Sequence, residues 1–240
     1  MIQTIRKKVG MTFTRKWFAR SWSYRDAFGF TSLRQYLGNA VPPSLLFSCD
    51  RRFTLLIDLT LDTEIILKAM HKNMRYQLRR AEKDDFSWRE TKDTKAFQRF
   101  YNNFAQEKGL PTLRDNVLTA EKTHLNIYEV VLHDDVVVTH AYLIDLEEKR
   151  ARFLYGASVR LNEKFDQNLI GRANRLGHWK EMQHFKEMGL QVFDFGGYAK
   201  DTNDPEKKGI SNFKSAFGGV VVQENSYNSR LYRLYRKIGK

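Results

Sequence analysis

Apolar and polar positions alternate along this chain with two distinct periods, and the switches between them mark its elements. Residues 53–59 (FTLLIDL) make a short apolar run of strand length. Asp62 or Thr63 then caps a helix expected to run through Lys83, with Ile66, Met70, Met74, Leu78 and Ala81 on its apolar face. A second helix, residues 94–108, places Phe97, Phe100, Tyr101 and Phe104 together and ends at Gly109-Leu110-Pro111. Residues 126–158 read as a meander of three strands turning at 133–135 and 147–149. A long helix from Asp166 to Met188 follows, closed by Gly189. The apolar strand 190–195 comes next, then a polar loop containing Pro205 and a last strand near 217–223. Residues 1–50 show weak periodicity, and Pro42-Pro43 reads as a connector. Antiparallel strands followed by a helix and a further strand predict an α+β sheet with helices on its faces.

Composition adds a partner class. The formal charge is +13, and it is uneven. Residues 1–36 carry eight Lys/Arg against Asp26 alone, and residues 230–240 carry five with no acid. Such a balance favours anionic partners such as nucleic acid, phospholipid surfaces or phosphate-bearing molecules, or else marks solvated faces. Trp17, Phe18, Trp22, Tyr24, Phe28 and Phe30 are mixed with the N-terminal charges, a combination that either rests on an anionic membrane or packs on the domain. Cys49 is the only cysteine, so no internal disulfide forms and a cytoplasmic compartment is expected, with the inner face of the membrane as a peripheral option. No segment is long and apolar enough for a signal peptide or a membrane span. The six histidines show no metal-ligand spacing, so no metal is expected.

Four segments carry candidate chemistry. The helix face Lys68, Lys72, Arg75, Arg79 and Lys83 is basic at helical spacing with few acids one turn away, which suits either phosphate binding or a solvated stripe. The start of the long helix, Asn168 to Ala173, offers backbone N–H groups, Gly171 for close approach and Arg172 for charge. Tyr155 ends a meander strand and reads as a proton donor or a rim aromatic. Residues 194–219 set Lys214 beside Phe213 and Phe217, between the pairs Gly196-Gly197 and Gly218-Gly219. A lysine so held can stabilise developing negative charge, while the alternative is two strand ends with tight turns. Glu129 is a weaker candidate base, with a solvated strand carboxylate as the plainer reading.

Together these segments resemble one family. His71–Lys83 (HKNMRYQLRRAEK) resembles the K-N-x-R-x-x-I-R-R-A helix that opens the catalytic half of the Fem-type peptidoglycan aminoacyltransferases. FLYGAS (153–158), FDFGGY (193–198) and NFKSAFGG (212–219) resemble that family's tyrosine strand, D-F-x-G and F-K-x-x-F-G segments, in the same order across about residues 55–222. The family belongs to the GNAT (Gcn5-related N-acetyltransferase) superfamily. The resemblance therefore implies a mixed, mostly antiparallel bent sheet, flanked by helices and splayed in the middle, with an acyl donor lying in the splay. It implies transfer of an acyl or aminoacyl group from acyl-CoA or aminoacyl-tRNA to an amine, with acyl-CoA as co-substrate and no tightly bound cofactor.

The wider superfamily binds the coenzyme A pyrophosphate through R/Q-x-x-G-x-G/A. Asn168, Gly171 and Ala173 match that pattern, with Asn in the first place. By the same carry-over Lys214 offsets oxyanion charge, Phe213 and its N–H lie beside it, and Tyr155 positions a group or moves a proton. Lys72, Asn73, Arg75 and Arg79 face anionic parts of the substrates, and Asp194, Gly196 and Gly197 form a wall of the cleft. The chain departs from the family at its start, because residues 1–54 are too short for the first of two lobes. The expected organisation is a basic aromatic extension (1–54), one acyltransferase domain (55–225) and a basic tail (226–240), acting on a small acceptor such as an amino sugar or amino acid. The competing reading is a non-catalytic binder of nucleic acid or anionic membrane, built on the basic helix and termini.

Overall fold

A computed structural model describes residues 1–8, 10–115, 122–160, 162 and 164–238. The core is a seven-stranded mixed sheet. Its strands are β5 (Phe53–Asp58), β6 (Phe86–Thr91), β7 (Leu125–Leu132), β8 (Asp135–Asp145), β9 (Arg150–Ser158), β10 (Val192–Gly197) and β11 (Val220–Gln223). They lie in the order β11-β5-β10-β9-β8-β7-β6, antiparallel throughout except for the β9–β10 pair. The predicted meander is β7 to β9, where local alternation and tight turns decide the pairing.

The predicted helix 63–83 is two helices, α2 (Thr63–Ala69) and α3 (Lys72–Ala81). No breaker residue separates them. Met70 is extended, the His71 N–H donates to the Ala216 carbonyl at 2.9 Å, and the His71 ring accepts from the Asn73 amide. The break lets the turn at Gly218-Gly219 press in, since a side chain at Gly218 would stand 3.0 Å from the Ala69 carbonyl oxygen and one at Gly219 2.4 Å from that of Leu56. Both glycines have positive φ, so this pair serves backbone packing rather than ligand approach. Helix α4 (Thr94–Glu107) packs Phe97 on one face of the sheet. Helix α5 (Gln167–Glu187) covers the other, burying Trp179, Met182 and Phe185 against Tyr142, Phe193 and Phe195.

The stretch predicted as a polar loop before the last strand contains helix α6 (Pro205–Ser215). Asp204 caps it, accepting from the amides of Glu206 and Lys207, and Pro205 occupies its first turn. Phe213 and Lys214 therefore lie on a helix.

The N-terminal segment, expected as an extension packed on the domain, forms a second sheet. Strands β1 (Ile2–Lys8) and β2 (Met11–Trp17) make a hairpin, and β2 runs parallel to β3 (Phe30–Arg34), which follows the short helix α1 (Tyr24–Phe28). Strand β12 (Ser226–Ser229) inserts between β3 and β4 (Phe47–Asp50), giving the order β1-β2-β3-β12-β4. Within the stretch expected as a tail, residues 226–238 supply an interior strand and helix α7 (Arg230–Ile238). The chain passes between the sheets at two adjacent crossings, residues 51–52 and 224–225, stitched by the Glu224 N–H to the Arg52 carbonyl at 2.9 Å. Trp17 and Phe18 are buried where the sheets meet, whereas Tyr24 and Phe28 are exposed. No described helix is long and apolar enough to cross a membrane.

Candidate active site

Strands β9 and β10 pair over three positions only, Arg150 with Val192, Ala151 with Phe193 and Arg152 with Asp194. Beyond them the two strands part. Strand β10 bulges between Asp194 and Gly197 and continues along β5, while the Phe153 carbonyl takes the Arg152 guanidinium at 3.1 Å. This is the mid-sheet splay that the resemblance implies.

Lys214 enters from α6. Its ammonium donates to the Gly197 carbonyl at 2.6 Å, at the end of β10. Burial, then the nearby Arg152 charge, lower its pKa to about 8 against the pull of Asp194. Two further N–H donors remain on that ammonium. Phe213 packs against Phe217 and His178, with ring centroids 5.4 and 5.9 Å away, and the Arg175 guanidinium lies 5.5 Å over its ring. The Phe213 N–H lies well inside α6, where it serves the carbonyl one turn back, so it is no oxyanion donor.

Beneath Phe213 lies a buried polar cluster that the motifs do not reveal. The rings of His140 (β8) and His178 (α5) stack with centroids 4.0 Å apart and planes 14° from parallel. His140 Nδ1 meets the Glu181 carboxylate at 2.8 Å, its Nε2 meets Asn174 Oδ1 at 2.8 Å, and His178 Nδ1 lies 2.8 Å from the Tyr142 hydroxyl, which also donates to Glu181. Burial and the neighbouring His140 lower the His178 pKa to about 3, so that ring is neutral. Burial alone would raise Glu181, but its contacts with His140 and His178 lower it to about 2. The ligand atoms of His140, His178 and Glu181 lie within 4.8 Å of one another. Parallel stacked rings cannot aim both in-plane lone pairs at one ion, so the cluster reads as a hydrogen-bond network. The spacing Asn174, His178, Glu181 is the sequence signal for it, three polar groups on one buried helix face.

The other predicted residues scatter. Asp194 is fully buried on the opposite face of the sheet, where it binds Arg150 at 2.6 Å and accepts from Gln35 at 2.9 Å and from Thr54, so its carboxylate joins the two sheets. Burial would raise its pKa, but Arg150 and Arg152 lower it. Gly196 has positive φ and lies close to the Phe153 carbonyl, while Gly197 presents its carbonyl to Lys214. Tyr155 packs against Phe97 and Tyr101 on the α4 side, away from Lys214, because a bulge in the β8–β9 register sets Leu154 and Tyr155 on the same side.

Arg172 turns from the helix start to pair with Asp84 at 2.5 Å, and Ala173 is buried in an apolar cluster. Asn168 is exposed, and its amide is taken by the capping carboxylate of Asp166 at 2.7 Å, which disfavours an anion there. Gly171 offers its carbonyl to Arg175 at 2.6 Å, making Arg175 rather than Arg172 the cation turned toward Phe213. Arg75 caps the end of α2, donating to the carbonyls of Met70 at 2.6 Å and Lys68 at 2.9 Å, while Lys72, Asn73 and Arg79 are exposed. Glu129 is buried and paired with Arg89 at 2.8 Å.

Solved structures with the same fold are known. The chain superposes on FemX with a TM-score of 0.68 and 14% identity, over 99% of this chain and 86% of that one. It matches L-PGS from Bacillus licheniformis at 0.59 and 9% identity, over 94% and 80% of the two chains. A third match, at 0.56 and 12% over 89% and 74%, is the C-terminal domain of a protein from Agrobacterium fabrum named as a lysylphosphatidylglycerol synthetase. No family model and no curated protein matches the sequence. The superposition on FemX takes in nearly the whole chain, N-terminal sheet included. The expected α+β architecture and the Fem-type resemblance are thus borne out as a fold.

Proposed function

We propose that the protein is an N-acyltransferase, moving an acyl or aminoacyl group from acyl-CoA or aminoacyl-tRNA to the amine of a small acceptor. The observation that carries this reading is the buried Lys214 ammonium at the mouth of the β9–β10 splay, anchored on the Gly197 carbonyl. In the proposed reaction a neutral amine attacks the donor carbonyl. A C–N bond forms, the oxyanion faces the remaining Lys214 donors, and the C–S or C–O bond to the leaving group breaks. The amine proton leaves with the thiol or hydroxyl. Preorganised donors in a dry site suit this chemistry without a covalent intermediate.

A small cleft of about 160 Å³ between the two sheets, lined by Gly197, Arg152, Arg34, Arg52 and Glu224, supports a compact polar acceptor. Arg175 on α5 supports a phosphate-bearing donor on the other side of Lys214. The test is mass-spectrometric detection of a transferred label from acyl-CoA and, separately, from aminoacyl-tRNA, onto a panel of amino acids and amino sugars. Transfer from one donor that Lys214→Ala reduces by about 10²–10³ supports the reading. Full activity in that variant would sink it.

A further inference from the structure

The N-terminal sheet ends in a surface that the acyl-transfer reading does not use. Strands β3 and β4 start, and β12 finishes, at the same end of that sheet, since Ser229 lies opposite Phe47 and Asn228 opposite Ser32. Helix α1, residues 41–46 and helix α7 therefore come together there. Two hydrogen bonds tie them: Ser229 Oγ donates to the Gly29 carbonyl at 2.6 Å, and Arg230 Nε donates to the Leu45 carbonyl at 3.2 Å. The Trp22 ring bridges Tyr24 and Phe47, with centroids 5.9 and 5.6 Å away. Helix α7 is seated by Tyr235 on Phe13 and Phe30, at 4.6 and 6.1 Å.

Each of the three segments leaves large apolar side chains in water. On α1, Tyr24 and Phe28 lie one turn apart and are 71% and 68% exposed. Leu45 is 82% exposed and Val41 69%. On α7, Leu231 and Leu234 are exposed, again one turn apart. One such residue is ordinary, but six from three segments at one end of a sheet mark an interaction surface. The charge around them is of one sign. Arg25, Arg230 and Arg233 are exposed on the same two helices. Asp26 is the only acid in residues 1–49, and residues 225–240 have none. Asp26 itself is buried and paired with Lys16 at 2.7 Å.

We infer that this end of the N-terminal sheet docks on the surface of a bilayer containing anionic phospholipids. Lipid phosphates supply the negative charge that the three segments lack, and the arginines meet them at headgroup level. Phe28, Leu45, Leu231 and Leu234 enter the acyl-chain boundary, while the Tyr24 hydroxyl stays at the interface. A nucleic acid would use the arginines but leave the leucines in water, whereas an anionic bilayer uses both. Because α1, residues 41–46 and α7 are already tied to one sheet end, little ordering is needed on contact.

Co-sedimentation of the full chain with vesicles at low salt tests the surface. The chain is expected to bind equimolar phosphatidylcholine–phosphatidylglycerol vesicles, and phosphatidylcholine alone at least about tenfold more weakly. Arg25→Gln and Arg233→Gln should each weaken binding about fivefold. Phe28→Ser and Leu45→Ser should each weaken it about tenfold. These side chains are exposed, so all four variants should keep the wild-type melting temperature. Lys72→Gln and Arg79→Gln, which remove the same charge from the exposed face of α3, should bind as wild type. So should Lys214→Ala, because no acyl donor takes part, which keeps the outcome separate from the acyl-transfer reading. No binding to the mixed vesicles overturns the inference. So does binding that the α3 variants weaken as much as Arg25→Gln and Arg233→Gln do, or that Phe28→Ser and Leu45→Ser leave intact. Self-association that Phe28→Ser abolishes, without vesicle binding, would assign the face to a second copy of the chain and likewise overturns it.

Discussion

The two faces of the central sheet at β9 and β10 bury polar groups in opposite ways. One face, toward the N-terminal sheet, holds charge: Arg150 bridges Asp194 and Glu224 at 2.6 Å each, Gln35 donates to both carboxylates, and Arg150 stacks 4.5 Å over Phe18. Burial works against the Arg150 charge, yet Asp194 and Glu224 more than offset it and its pKa is raised. The other face, under α5 and α6, holds neutral His178 among Phe153, Phe195, Phe213 and Phe217, with the cations Lys214 and Arg175 at its edge. Alternation along two short strands thus separates a locked charge network that fixes the sheets from an aromatic floor with a self-satisfied polar cluster under the candidate reaction site. On that face Lys214 is buried, which lowers its pKa, with Arg152 adding to the shift and Asp194 opposing it.

Changes at four residues would break or sharpen this contrast. Arg150→Ala leaves Asp194 and Glu224 buried without their partner and should cost about 3–5 kcal/mol in urea unfolding. Lys214→Ala, on the other face, should reduce transfer steeply yet leave the unfolding midpoint at pH 7 nearly unchanged or higher, since a buried ammonium is removed. If both substitutions behave alike, the contrast fails.

The titration windows also differ. Lys214 has a folded pKa near 8 against 10.5 unfolded, so the unfolded chain binds the extra proton between them. Wild type should therefore gain stability relative to Lys214→Met as pH rises from about 8 to 10.5, and its transfer rate should fall across pH 8 as the ammonium is lost. His178 stays neutral in the fold to about 3, whereas the unfolded ring takes a proton near 6.5. Stability should fall from pH 6.5 toward 3, and His178→Gln should flatten that slope in unfolding midpoints measured across the range. The smallest effect is expected for Arg75→Ala. It frees the carbonyls of Lys68 and Met70 for about 1 kcal/mol of stability, while donor and acceptor KM values stay unchanged.

What the sequence shows and hides follows the range of the interactions. The meander, α4 and α5 are legible because side chains a few residues apart decide them. Strand β12 reads Ser-Tyr-Asn-Ser, with one ring and no alternation, and becomes an interior strand only by pairing with β3 and β4 far away in sequence. Helix α6 does carry a local signal, Asp204-Pro205, which marks a helix start that the apolar pattern alone does not show. The break at Met70 has no local sign, because the Ala216 carbonyl imposes it from outside. In the candidate site, a lysine among aromatics marks Lys214. His140 and Glu181 lie on a strand and a helix, and only folding brings them together. The basic stripe misleads at Arg75 for a similar reason: its partners are carbonyls of the helix end that the break creates.

The place of β12 has a consequence for how the chain is made. Synthesis proceeds from the N-terminus, so β3 and β4 leave the ribosome long before residues 226–229 do. Until then the N-terminal sheet has a gap between β3 and its edge strand β4, with two facing edges open to another chain. Its closure waits for one of the most distant pairings in the molecule, Ser32 with Asn228. Slow assembly, and a need for shelter while the gap is open, are built into the order of the strands.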